Sequence, residues 1–98
     1  MKINISSVHF TADQKLLDFI NQKVNKLTHL YDDIISCEVV LRLDVNDQLG
    51  NKITEIKMVL PGGELFAKRQ CKTFEEAIDQ SIDALKRQID KHKEKLKR

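Results

Sequence analysis

The sequence predicts an α+β fold: a β-α-β-β-β-α two-layer sandwich whose four-stranded sheet carries both helices on one face. Three observations predict it. Apolar residues recur at every second position in four short stretches and at helical spacing in two longer ones. The links joining the last three strands are short enough to make them an antiparallel meander. Each strand has one strongly apolar face, so a single sheet covered on one side is the economical packing. A chain of 98 residues encloses one core of about two layers, and residues 1–98 are expected to form a single domain.

The elements follow in order. Residues 2–8 alternate, with Ile3 and Ile5 on one side and Lys2, Asn4 and Ser6 on the other, which reads as a strand. Thr11 and Gln14 then have the spacing of a capping box, and Leu16, Ile20, Val24, Leu27 and Leu30 make an apolar stripe. A helix over about 12–31 is expected, closed by Asp32-Asp33. Residues 35–45 alternate again, with Cys37, Val39, Leu41, Leu43 and Val45 sharing a face. A turn over 46–51 contains Gly50, and a third strand over about 52–60 points Ile56, Met58 and Leu60 inward. Leu60-Pro61-Gly62-Gly63 fits a type II turn, with Pro setting φ at the second position and Gly accepting positive φ at the third. A fourth strand over about 64–71 turns Leu65 and Ala67 to the core. Thr73 and Glu76 form a second capping box, after which Phe74, Ile78, Ile82, Leu85, Ile89, His92 and Leu96 continue a helical stripe to the chain end.

Bulk composition excludes several classes. No apolar run approaches the roughly 20 residues of a transmembrane helix. Met1-Lys2-Ile3-Asn4-Ile5 lacks the apolar stretch and cleavage site of a signal peptide, so a cytoplasmic location is expected. Cys37 and Cys71 have neither CxxC spacing nor a neighbouring histidine; they are read as reduced, half-buried thiols. His9, His29 and His92 form no catalytic or metal-ligand spacing, the exposed acids are scattered singly, and Gly62-Gly63 belongs to a hairpin, not a phosphate loop. No enzyme activity, metal, cofactor or small-molecule substrate is expected.

The charge distribution carries the functional signal. The net charge is +2, but residues 1–85 hold 10 basic and 13 acidic side chains, whereas residues 86–98 hold 7 basic and 2 acidic ones. At ~100° per residue, Arg87, Lys91, Lys95 and Arg98 fall in one row and Lys86, Lys93 and Lys97 in another, flanking Asp90 and Glu94. A few lysines would complement the helix dipole; seven bases in this segment repel one another beyond that need and point to phosphate. Lys23 and Lys26 of the first helix are a solvated face alone and join this surface only if the two helices lie side by side. The few aromatic residues, Phe10, Phe19, Tyr31, Phe66 and Phe74, sit mostly at core positions, which favours binding to RNA backbone and shape over base stacking.

The run Ala77-Ile78-Asp79, Ile82-Asp83 and Arg87-Gln88-Ile89-Asp90-Lys91-His92-Lys93-Glu94-Lys95-Leu96-Lys97 closely resembles the last helix of the ribosome hibernation promoting factors, also called ribosome-associated inhibitors or sigma-54 modulation proteins. Ile3 and Ile5, Lys23-Val24-Asn25-Lys26-Leu27, Val39-Val40-Leu41 and Gly62-Gly63-Glu64 extend the resemblance along the chain. It implies the β-α-β-β-β-α fold and a translation silencer of non-growing or stressed, stationary-phase cells. Such a protein binds the small ribosomal subunit and its rRNA in the mRNA/tRNA channel, as a monomer off the ribosome. The implied RNA contacts are Lys23, Lys26, Arg87, Lys91, Lys93 and Lys95, with Lys86 and Lys97 as helpers. Lys68-Arg69 stands where relatives more often carry small or acidic residues and would extend the basic surface. The chain resembles the short form of the family, without the C-terminal dimerisation domain of long members. Two other readings stay open: a generic double-stranded-RNA module, and a protein-binding, sigma-factor-type regulator whose rail meets an acidic protein surface.

Overall fold

The computed structural model describes residues 1–45 and 50–96, with only the backbone for Lys95 and Leu96. Its elements run β1 (Lys2–Ser7), α1 (Gln14–Asn25), a 3-10 turn (Lys26–His29), β2 (Ser36–Leu43), β3 (Lys52–Leu60), β4 (Gly63–Cys71) and α2 (Phe74–Leu96). The sheet order is β1-β2-β3-β4. The β1–β2 pair is parallel, since α1 crosses between them, and the other two pairs are antiparallel. This is the predicted β-α-β-β-β-α sandwich.

Register explains which side the helices cover. Ile5, Val39, Ile56 and Ala67 lie in one row across the sheet, and Ile3, Cys37, Met58 and Leu65 in the next. These residues form the core with Ile20, Val24 and Leu27 from the first helical segment and Phe74, Ile78, Ile82, Leu85 and Ile89 from α2. The alternate residues make the open face, where Arg42 pairs with Glu55 at 2.7 Å and Lys57 with Glu64 at 3.8 Å. These two pairs offset part of that face's charge.

Three sequence expectations are corrected. The first helix begins at Gln14, and its cap is Asp13, not Thr11: an Asp13 oxygen accepts from the Leu16 amide at 2.8 Å. A carboxylate is a stronger acceptor than a hydroxyl and also meets the positive end of the helix dipole. Gln14 donates to Asp18 at 2.8 Å and is no part of a capping box. Second, the α-helix stops at Asn25 and tightens into a 3-10 turn instead of continuing to 31. Third, the inward face of β2 ends at Leu41; Leu43 and Val45 are exposed. The second cap matches its expectation, since the Glu76 amide donates to the Thr73 hydroxyl at 3.1 Å.

Two glycines are fixed by geometry. Gly62 has φ +83° at the third position of the β3–β4 turn. Gly50, at φ +88°, abuts the backbone of Cys71 so closely that an added Cβ would lie 2.3 Å from its carbonyl carbon. Residues 46–49 of its predicted turn lie outside the described residues.

Candidate nucleic-acid interface

The two helices lie side by side and point the same way. Phe10, just before α1, stacks on Phe74, the first residue of α2, with ring centroids 5.2 Å apart. Further along, Lys23 pairs with Asp79 at 3.3 Å. Beyond the end of the 3-10 turn, Tyr31 meets the His92 ring edge to face at 5.7 Å. Parallel helices bring both C-terminal ends, with their partial negative charge, to one end of the molecule, where the basic residues collect.

A groove of about 300 Å³ runs between them, lined by Lys23, Lys26, Asp79, Ile82, Asp83 and Lys86. Lys26 and Lys86 are exposed and make no ion pair among the described residues. Lys23 is half-buried: its ammonium sits 3.3 Å from Asp79 and 5.4 Å from the centre of the Phe19 ring. Arg87 and Lys91 are exposed on the far side of α2, next to Gln88. Lys93 is only half-exposed. The side chain of Lys95 and all of Lys97 lie outside the described residues. Thus Lys23, Lys26 and Lys86 share one groove, while Arg87 and Lys91 form a second rail across the helix.

α2 is seated by a stripe of small residues. Ala77, Ser81 and Ala84 are buried, spaced four and three apart on one face, and they allow the helix to approach β4 closely. The next residue of that stripe is Gln88. Its side-chain amide donates to the Phe66 carbonyl at 2.9 Å and accepts from the Phe66 amide at 3.3 Å. This two-bond clasp ties the basic half of α2 to the sheet edge. Gln88 and Asp79 carry part of the family resemblance, but the sequence reading assigns neither a role. The continuation of the small stripe hints at the first; nothing local marks the second, because its partner is on another helix.

Lys68 and Arg69 do not extend the basic surface. Adjacent strand residues face opposite ways: Lys68, opposite Glu55, looks to the open face. Arg69 looks to the helix side near Glu76, at the acidic start of α2, and both residues influence the Cys71 thiol.

The whole chain can now be set beside known proteins. The family model described as "Sigma 54 modulation protein / S30EA ribosomal protein" matches residues 3–97. The chain belongs to that family. Ribosome hibernation promoting factor of Pseudomonas putida is 34% identical over 95 residues, covering 97% of this chain and 89% of the relative. The protein of the same name from Klebsiella oxytoca is 33% identical over 97 residues, with 99% and 98% covered. A ribosomal subunit interface protein from Coxiella burnetii has the same fold at a TM-score of 0.84 and 19% identity, over 95% of this chain and 98% of the other. The Protein Y N-terminal domain of Thermus thermophilus aligns at 0.81 and 24%, over 94% and 99%. Neither the family description nor these names denotes an enzyme.

As a family member, the chain carries no helix among its described residues long and apolar enough to cross a membrane. Its two free thiols are buried, not half-buried as expected. Burial pushes Cys37 up to about 11, and burial followed by the nearby Glu76 carboxylate raises Cys71, against a smaller opposing pull from Arg69.

Proposed function

We propose that this chain is a ribosome hibernation factor, a single ribosome-binding domain that acts in the cytoplasm. It binds the small subunit's rRNA in the mRNA/tRNA channel and silences translation when growth stops. Lys23, Lys26, Lys86, Arg87, Lys91, Lys93, Lys95 and Lys97 supply the phosphate contacts, and the protein is a monomer off the ribosome. One observation carries this reading: the parallel helices put Lys23, Lys26 and Lys86 in a single groove beside the Arg87–Lys91 rail. The names of the relatives, ribosome hibernation promoting factors, support the ribosome as the partner.

Phosphate binding releases condensed counterions, so affinity for small subunits should fall steeply with salt. The expected log–log slope is several units, at about 0.7–0.9 per phosphate neutralised. Sedimentation of small subunits with the protein across a salt series measures it, and a slope near zero would sink the RNA reading. Isolated RNA duplexes tested in parallel distinguish the ribosome from a generic duplex: equal affinities would favour the duplex module.

A further inference from the structure

The groove between the helices holds acids as well as lysines, and the proposed function uses only the lysines. Along α2, the exposed charges before Lys86 are Glu75, Glu76, Asp79 and Asp83, without a single base. The sign changes between Asp83 and Lys86, about 4.5 Å of helix. Glu75 and Glu76 stand in the first turn and complement the helix dipole. Asp79 and Asp83 lie beyond that turn, where the dipole no longer favours an acid, yet both line the groove.

The two acids do different things there. Asp79 holds the Lys23 ammonium in the groove at 3.3 Å, with the Phe19 ring also beside it. Asp83 is exposed and has no ion partner among the described residues, so its full charge meets whatever enters. A phosphate about 7 Å from such a carboxylate in water loses about threefold in affinity. Repulsion of wrong partners creates discrimination as effectively as attraction of the right one.

We propose that Asp79 and Asp83 are specificity-determining residues that end the RNA track. A phosphate backbone seated over Lys26 and Lys86 is stopped from advancing toward the helix N-termini. RNA is held only in registers that leave a gap between phosphates over the two acids. Folded rRNA can present such a gap at one fixed place, whereas an arbitrary RNA slides through every register and meets the acids in most of them. This inference rests on the RNA-binding reading above.

The test compares the parent, the Asp83→Asn variant and the Asp79→Asn/Asp83→Asn variant. Each is titrated with purified small subunits, a generic RNA duplex and poly-U at one fixed salt concentration. The double variant should bind duplex and poly-U about fivefold or more tighter, while small subunits gain only the smaller part that the freed Lys23 adds, so the preference for subunits falls. Asp83→Asn should show the same trend at about half the logarithmic size; it touches no partner that folding needs, so it separates repulsion from any loss of the Lys23 contact. Equal tightening on all three ligands, or no tightening on the generic RNAs, overturns the inference. If the parent itself fails to bind small subunits, the ribosome reading falls instead.

Discussion

The two halves of α2 share one helix and divide two tasks. From Phe74 to Leu85, seven side chains are buried: Phe74, Ala77, Ile78, Ser81, Ile82, Ala84 and Leu85. From Lys86 onward only Ile89 is buried among the described side chains. The first half is acidic outside and apolar inside, and it is seated on β3 and β4. The second half is held by Ile89, the Gln88 clasp and the Tyr31–His92 ring contact, and it spends its surface on charge. The difference teaches that a dense run of bases need not weaken a fold when packing and charge occupy different lengths of one helix. Mutual repulsion among bases costs little where few core contacts depend on them.

This division breaks most sharply under crossed substitutions. Leu85→Ala removes a fully buried side chain and should cost about 2–5 kcal/mol, read by denaturant unfolding; the fraction that stays folded should bind small subunits as the parent does. Arg87→Glu with Lys91→Glu should move stability by less than about 1 kcal/mol, because both side chains are exposed. It reverses the sign of one rail, so co-sedimentation with small subunits and inhibition of translation should be lost together. A folded double-Glu variant that still binds would show the basic half to be a solvated helix end only.

Alkaline pH sharpens the same comparison. The Cys37 thiol rises from 9.0 to about 11 on folding, so the folded state keeps its proton longer than the unfolded one. The stabilisation from this group is complete below pH 9, shrinks as pH rises, and is spent by about 11, a loss of about 2–3 kcal/mol. Unfolding curves of the parent and Cys37→Ala over that window should converge as pH rises. At each pH the folded fraction of both proteins should bind small subunits equally, because Cys37 lies in the core and touches no phosphate. A binding profile that changes with the thiol would tie the two tasks together.

How much of this was legible in the sequence depends on how many elements a feature needs. The strands and the helices each depend on one periodicity, and periodicity predicted them; of the predicted charge rows, the described Lys86, Arg87 and Lys91 are exposed. Thr73 and Thr11 show the margin: both precede a Glu or Gln by three residues, but only Thr73 has no better cap nearer the helix, while Asp13 displaces Thr11. The placement of Lys23, Lys26 and Lys86 in one groove needed the relative direction of two helices, which no local pattern states. The Lys23–Asp79 pair was hidden for the same reason. Lys68-Arg69 misled because a basic dipeptide reads as one patch, although a strand sends its two members to opposite faces.

The smallest expected effect tests the join between the two halves. Gln88 replaces a missing neighbouring strand at Phe66, offering both a donor and an acceptor to a backbone that otherwise faces the sheet edge. Gln88→Ala removes both bonds at a largely exposed site where water can take over, so its cost to global stability should be about 1 kcal/mol. The local effect should be larger than the global one. Amide hydrogen exchange at Phe66 should accelerate, since its N–H loses its acceptor, while amides of Ile78 and Ile82 in the first half should keep their protection apart from the global shift. Small-subunit binding should weaken by only a few-fold, because the rail keeps its charge and loses only some of its fixed position. If Phe66 exchange is unchanged, the clasp does not hold in solution and Ile89 with the Tyr31–His92 contact suffices. If exchange rises equally along all of α2, the helix behaves as one cooperative unit, and its halves differ in surface but not in attachment.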